Sequence, residues 1–380
     1  MPPFASAFFT AAAVSRPMFE TSSHRRGHQS AGAATRLGFL LSLAYGDGDC
    51  LPSKVLRILI DASNQPRNQR ASRVALTRRE ALAGGFCLCC LPGSAAAVPQ
   101  ALTEVGPGIF VRAGLHQQAT LENAGAIANV GVIVGRDCVL VTDACGSLAD
   151  GEWLRGEIRK RTDKPIRYVL ITHVHPDHSF GAAAFAADQP AIIGHHALRL
   201  ALAARGEFYR RRLADAVGPE RAGSVVNPTE EVKDGMEIDL GGRVLRLIAH
   251  GKAHTDCDLS MLDVETGLLF PADLLFVHRL PALDGSLRGW LNELERLKKL
   301  GVSRAVPGHG PLVVDFAPAV ADLMRYLSVV RDETRKAIAA GVSIADAGRT
   351  VAQTERRRWA LFDDYNERNV IAAYKELEWE

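Results

Sequence analysis

Four potential metal ligands crowd into the six residues His173-Val174-His175-Pro176-Asp177-His178. Imidazole nitrogen and carboxylate oxygen suit zinc, and no thiolate is required of such a site. Pro176 keeps the four from sharing one regular helix or strand face. A loop, however, can fold back and aim alternate side chains at two points. The string follows RYVLIT (167–172), which reads as a buried strand, so it begins at the carboxyl edge of a sheet, where ligands of α/β proteins bind. A lone histidine is more often structural. This density argues for a metal, because buried polar groups need partners.

HVHPDH resembles the HxHxDH signature of the metallo-β-lactamase superfamily, and three further strings resemble its companions in the same order. They are His254 in HGKAHTDCDLS, Asp273 in FPADLLF, directly after the strand expected at 267–272, and His309 in PGHG. Each follows a run that reads as a strand, so one sheet edge can gather all seven residues. The resemblance spans nearly all of residues 105–315. It implies one zinc held by His173, His175 and His254, a second held by Asp177, His178 and His309, and Asp273 bridging the two. An aspartate in the bridging place is similar to glyoxalase II, whereas β-lactamases with a cysteine in the second site differ. Cys257, just after His254, has no place in the ligand pattern.

The flanks HQQATLENAGAIANVGVIVG (116–135), AHTDCDL (253–259) and LPALDGSLRGWL (280–291) resemble zinc metallohydrolases associated with quinoprotein relay systems. That likeness implies a functional link to a periplasmic quinoprotein dehydrogenase and leaves the substrate open.

Two zinc ions side by side bridge one water, lower its pKa and hold it as hydroxide, which attacks a polarised carbonyl. The expected activity is hydrolysis of a small ester, thioester, lactone or amide. Asp177 is the catalytic candidate, fixing the second metal and orienting the nucleophile; the leaving group's proton comes from metal-bound water or from Asp177. His196, expected to open a helix, and Asp284, in the loop after Asp273, are candidate substrate contacts, and Ser286 is a candidate helix cap. His195 and His250 could line the same pocket. Within the enzyme class the alternative is a β-lactamase-like or glyoxalase-II-like hydrolase. Other classes are a non-catalytic, metal-dependent binding or carrier protein and a diiron redox enzyme, which metal identity would separate.

The elements that position these residues are legible as periodic runs. Residues 108–114, 128–135 and 138–144 read as strands, 148–161 as a helix, and 191–194 as a strand. A helix is expected from His178 and another around 197–217, followed by strands at 237–240, 243–249, 259–264 and 267–272. Val320, Leu323, Met324, Leu327 and Val330 mark one apolar helix face. Two β-rich halves flanked by helices argue for an α/β (α+β) sandwich of two mixed sheets with helices outside. The resemblance makes this the four-layer αββα metallo-β-lactamase sandwich.

Of 380 residues, 47% are hydrophobic and 23% charged, enough for a sizeable core. The net charge of +2 hides an asymmetry: residues 1–97 carry 11 Lys and Arg against 5 Asp and Glu, the rest 34 against 38. The expected hydrolase domain, residues 98–380, is therefore mildly acidic, which gives no case for nucleic-acid binding. Residues 77–97 combine Arg78-Arg79, a short apolar run and Ala95-Ala96-Ala97, the pattern of a twin-arginine-like signal peptide, so a periplasmic location is expected. The run is too short and Gly-rich for a stable membrane anchor. Residues 1–76 read as a disordered extension, with translation starting later, near Val74, or else as an organelle-targeting segment. Cys87, Cys89 and Cys90 leave with the signal. Cys138, Cys145 and Cys257 remain, and Cys138 with Cys145 either pair or serve as small buried hydrophobes.

Overall fold

The computed structural model describes residues 101–380; the expected extension 1–76 and signal 77–97 lie outside the described residues. Thirteen strands form two sheets. The first holds β1 (Thr103–Gly106), β2 (Ile109–Arg112), β3 (Val130–Val134), β4 (Val139–Thr142), β5 (Ile166–Ile171), β6 (Ala191–His195) and β7 (Glu230–Val232), side by side in chain order. It is antiparallel from β1 to β4 and parallel from β4 to β7. The second holds β8 (Gly235–Asp239), β9 (Val244–Ala249), β10 (Leu259–Asp263), β11 (Leu268–Phe276), β12 (Arg304–His309) and β13 (Val314–Asp315) in reverse order, with only β11 and β12 parallel.

Strand alternation explains the layering. Leu140 and Leu170 point inward and meet Leu247, Met261 and Phe270 of the other sheet, while their neighbours Val139, Val141, Val169 and Ile171 point outward. Both faces of the central strands are apolar, so each sheet must be covered twice. The outward face of the first sheet packs on α1 (Leu148–Arg159) through Leu154 and Ile158, then on the turn after α2 (Pro176–Ser179), and on α3 (Leu198–Val217) through Leu198 and Leu202. Short α4 (Pro219–Ala222) follows. The second sheet is covered by α5 (Leu287–Lys298), α6 (Phe316–Ala339), α7 (Ile344–Thr350) and α8 (Phe362–Leu377). The result is the four-layer αββα sandwich that the patterning implied. Val320, Leu323, Leu327 and Val330 form the buried stripe of α6, with Met324 packed beside it. Ser286 caps α5 as expected, accepting from Gly289 N at 3.0 Å.

Three local readings are corrected. The helix expected from His178 is one turn, Pro176–Ser179, continued as a tighter 3-10 helix through Asp188. A Cβ on Gly181 would stand 1.9 Å from Ala144 O, so this segment is pressed against the loop after β4. The strand expected to stop at Ala272 runs on to Phe276, so Asp273 lies inside β11 and not after it. Ala272 has φ 49° and the pairing with β12 shifts there, which bends the strand without ending it. His196 does not open α3; that helix starts at Leu198 behind Ala197. Cys138 and Cys145 are free thiols, one in the inter-sheet core and one in the outer layer, so they serve as buried hydrophobes.

Candidate metal centre

The ligand candidates arrive from both sheets at one edge. His173 to His178 follow β5, His254 lies in the loop between β9 and β10, Asp273 rides on bent β11, and His309 is the last residue of β12. They form two groups. In the first, His175 Nδ1 stands 3.1 Å from His173 Nε2 and 2.9 Å from His254 Nε2, and Asp273 Oδ2 lies 3.7 and 3.4 Å from His173 and His254. In the second, His178 Nε2 and His309 Nε2 are 3.5 Å apart, and Asp177 Oδ2 is 3.8 and 3.3 Å from them. Asp273 reaches this group too, at 3.1 Å from His178 and 3.4 Å from His309.

The outward nitrogens fix four of the five tautomers. Thr172 Oγ1 gives its one proton to Asp143 Oδ1 (2.7 Å), so at 3.0 Å it accepts from His173 Nδ1. His178 Nδ1 donates to Asp143 Oδ2 (2.8 Å) and His254 Nδ1 to Ala282 O (2.7 Å), whereas His309 Nδ1 lies against both an acceptor, Ile127 O (2.8 Å), and a donor, Arg279 Nη1 (2.7 Å). His175 is turned the other way, donating Nε2–H to Asp284 Oδ2 at 3.1 Å. Four of the five imidazoles therefore aim a bare lone pair inward, the state a metal ligand needs, and His309 does so in the tautomer that donates to Ile127 O.

Lone pairs and carboxylates facing one another at these separations repel unless a cation sits among them. Tetrahedral donors about 2.0–2.1 Å from zinc are about 3.3 Å from one another, which the observed spacings bracket. Asp273 Oδ1 is buried and has no aligned hydrogen bond despite its closeness to His178, and Gly308 leaves it room, since a Cβ there would lie 2.0 Å away. Both groups thus fit a metal ion. Electrostatics agree. Burial disfavours charge on His178, yet Asp273, Asp143 and Asp177 raise its pKa well above the ordinary value, so this corner calls for positive charge. Burial pushes His254 down to about 3, with His175 adding to the effect against Asp273. Burial opposes ionisation of Asp177, but His178 and His309 hold it below the usual carboxylate range.

All seven sequence-derived ligand candidates are brought together, in the two sets of three with Asp273 between them. Asp284 does not point into open space: its carboxylate takes His175 Nε2, Arg205 Nη1 at 2.8 Å and the Tyr209 hydroxyl at 3.2 Å. His196 is exposed, stacks on His195 with ring centres 4.2 Å apart, and touches none of the seven. His250 is buried as a clamp, Nδ1 to Glu293 Oε2 (2.8 Å) and Nε2 to Ser260 Oγ (2.7 Å), away from any pocket. Cys257 is buried beside Thr255. Sequence reasoning missed Asp143, which orients two imidazoles, and Arg205, Tyr209 and Arg279. The one available signal for Asp143 was its place after VLVT, at the same kind of strand end as His173.

Comparison with known proteins agrees with the fold. The family model described as the metallo-beta-lactamase superfamily matches residues 124–309. The Beta-lactamase-like protein 2 homolog of Caenorhabditis elegans is 27% identical over 152 residues, 40% of this chain and 45% of that protein. The chain spans about half the length of the curated relatives it matches. Among solved structures, the metallo-beta-lactamase from Pontibacter korlensis superposes with TM-score 0.50 at 16% identity, covering 60% of this chain and 99% of its own. The inverting sec-alkylsulfatase Pisa1 from Pseudomonas sp. gives TM-score 0.57 at 17% identity, covering 73% and 50%.

Proposed function

From a chain that has the metallo-β-lactamase fold and whose family match and structural neighbours support a place in that superfamily, we propose a binuclear zinc hydrolase of a small ester, thioester, lactone or amide. The observation that carries this reading is the pair of buried donor groups with Asp273 within reach of both. His173, His175 and His254 would hold one zinc, Asp177, His178 and His309 the other, and Asp273 both. Bound there, zinc supplies an activated water and polarises the substrate carbonyl. Asp177 has the most exposed side chain of the second group, at 15%, and its carboxylate stays ionised beside His178 and His309. It would orient the nucleophile, and the leaving group's proton would come from the metal-bound water or through Asp177. Asp143, Asp284 and the carbonyls of Ala282 and Ile127 keep each imidazole in register. Thioesters head the substrate panel, because an aspartate in the shared position resembles glyoxalase II.

A periplasmic site of action linked to quinoprotein metabolism belongs to the same proposal, supported by the Arg78-Arg79 signal pattern and the resemblance of residues 116–135 and 280–291. The test is elemental analysis of the purified full chain with turnover of an ester, thioester, lactone and β-lactam panel. About two zinc per chain and chelator-sensitive turnover are expected. Iron in place of zinc, or turnover that survives complete metal removal, would sink it.

A further inference from the structure

Arg279 is a buried cation without an acid. It is 4% exposed; its Nη1 meets Ile127 O at 3.3 Å and His309 Nδ1 at 2.7 Å, its Nη2 donates to the Tyr365 hydroxyl at 3.1 Å, and its Nε has no hydrogen-bond partner. Among the described residues no carboxylate lies within ion-pair distance of it, whereas buried Arg112 and Arg243 have Asp150 and Asp263. An uncompensated buried guanidinium is costly to keep unless something else meets its charge.

Its surroundings add a second cation, Arg368, and, among the described residues, no paired acid. The Tyr365 ring carries two guanidinium groups, Arg279 and Arg368, whose guanidinium carbons are 5.6 and 5.8 Å from its centre. The Tyr365 hydroxyl donates onward to Gln118 Oε1 at 3.2 Å. His116 and His278 stand edge to face with centres 6.4 Å apart. His278 directly precedes Arg279 in the chain, which places His116 at the edge of the same cluster. Neither Arg368, His116 nor His278 pairs with a carboxylate among the described residues. At the His175 end the sign reverses, with Asp284 and Asp256 sharing the single cation Arg205.

We propose that Arg279, Arg368, Tyr365, His116 and Gln118 form an anion subsite beside His309, which takes a carboxylate of the substrate remote from the bond that is cleaved. Exposed Arg368 and half-buried His116 meet the anion directly, and Arg279 supplies fixed charge beneath them. Tyr365 and Arg368 come from α8, beyond the stretch 124–309 matched by the family model, so the subsite belongs to what this chain adds around the shared scaffold.

The subsite rests on the hydrolase reading for its substrate, but its test is one of binding. The zinc-loaded full chain is titrated calorimetrically with butyrate and with glutarate. Both bring one carboxylate to the metals; only glutarate brings a second. Glutarate is expected to bind about tenfold tighter, with an advantage that shrinks in salt and falls to within about twofold in Arg368→Gln. Arg349→Gln, on α7 and paired with Asp346, serves as the control and should keep the advantage. Equal binding of the two acids, or an advantage that survives Arg368→Gln, overturns the subsite. Failure of the hydrolase reading is seen separately, as absence of ester turnover by the zinc-loaded chain.

Discussion

Asp143 shows what a single side chain contributes without touching a metal. Its two oxygens serve Thr172 and His178, and through Thr172 it sets the tautomer of His173, so one carboxylate orients a donor in each group. Asp143→Asn should weaken metal binding about 10- to 100-fold, read by competition with a chromophoric chelator, while the folded circular dichroism persists. His175→Ala should leave at most one zinc per chain and remove nearly all turnover. In the metal-free chain the depressed His254 also fixes the sign of a pH effect. Its pKa falls from 6.5 unfolded to about 3 folded, so the unfolded state binds the extra proton between those values. Its contribution to stability is full above 6.5 and lost as pH falls toward 3, with raised His178 acting in the opposite sense. Thermal unfolding of the chelated protein across this window should show a shallower acid-side loss in His254→Gln than in wild type. The seven candidate ligands were legible because they sit in short strings of unusual chemistry. Asp143 and Arg279 were not, because one acid after a strand, or one arginine in a loop, has no pattern until the fold supplies its neighbours.

At the scale of elements, α3 is the part of the wall most directly tied to the centre. Arg205 bridges Asp284 and Asp256, Tyr209 adds a hydroxyl to Asp284 and sets its ring edge-on to His175 at 5.8 Å, and Asp284 holds the outward nitrogen of His175. Arg205→Ala should loosen the zinc held by His173, His175 and His254 several-fold, and Asp284→Ala by about tenfold, both read by chelator competition. Zinc affinity unchanged in both would return Asp284 to the role of a substrate contact. A second link joins β2 to α1, where Arg112 and Asp150, both fully buried, pair at 2.5 Å. Asp150→Ala leaves that guanidinium stranded and should cost about 3–5 kcal/mol in denaturant unfolding. Strand alternation and the α6 stripe made the layers readable in advance. The end of β11 was not, because Pro271 and Asp273 argue against a strand by propensity, and only the pairing with β12 shows that the chain continues. His196 misled for a related reason: the sequence cannot say which of two adjacent histidines a strand end turns inward, and here it is His195 that is buried.

For the whole molecule, each donor group draws on both sheets. His173, His175, Asp177 and His178 come from the first, whereas His254, Asp273 and His309 come from the second. No donor group is complete until the two sheets have met, so zinc held as proposed would bind the native state far better than the unfolded chain. Chelation should lower the thermal midpoint measurably, and added zinc should restore it. The three cysteines of the described region are buried and free, so none of them bridges the sheets. Metals bound there would take the place that a disulfide holds in other proteins: a cross-link between distant parts of the chain that needs no oxidant. Such a bolt would sit at the rim, where His175 and Asp177 are partly exposed, so a chelator would draw it from the folded protein and leave the two halves held by packing alone.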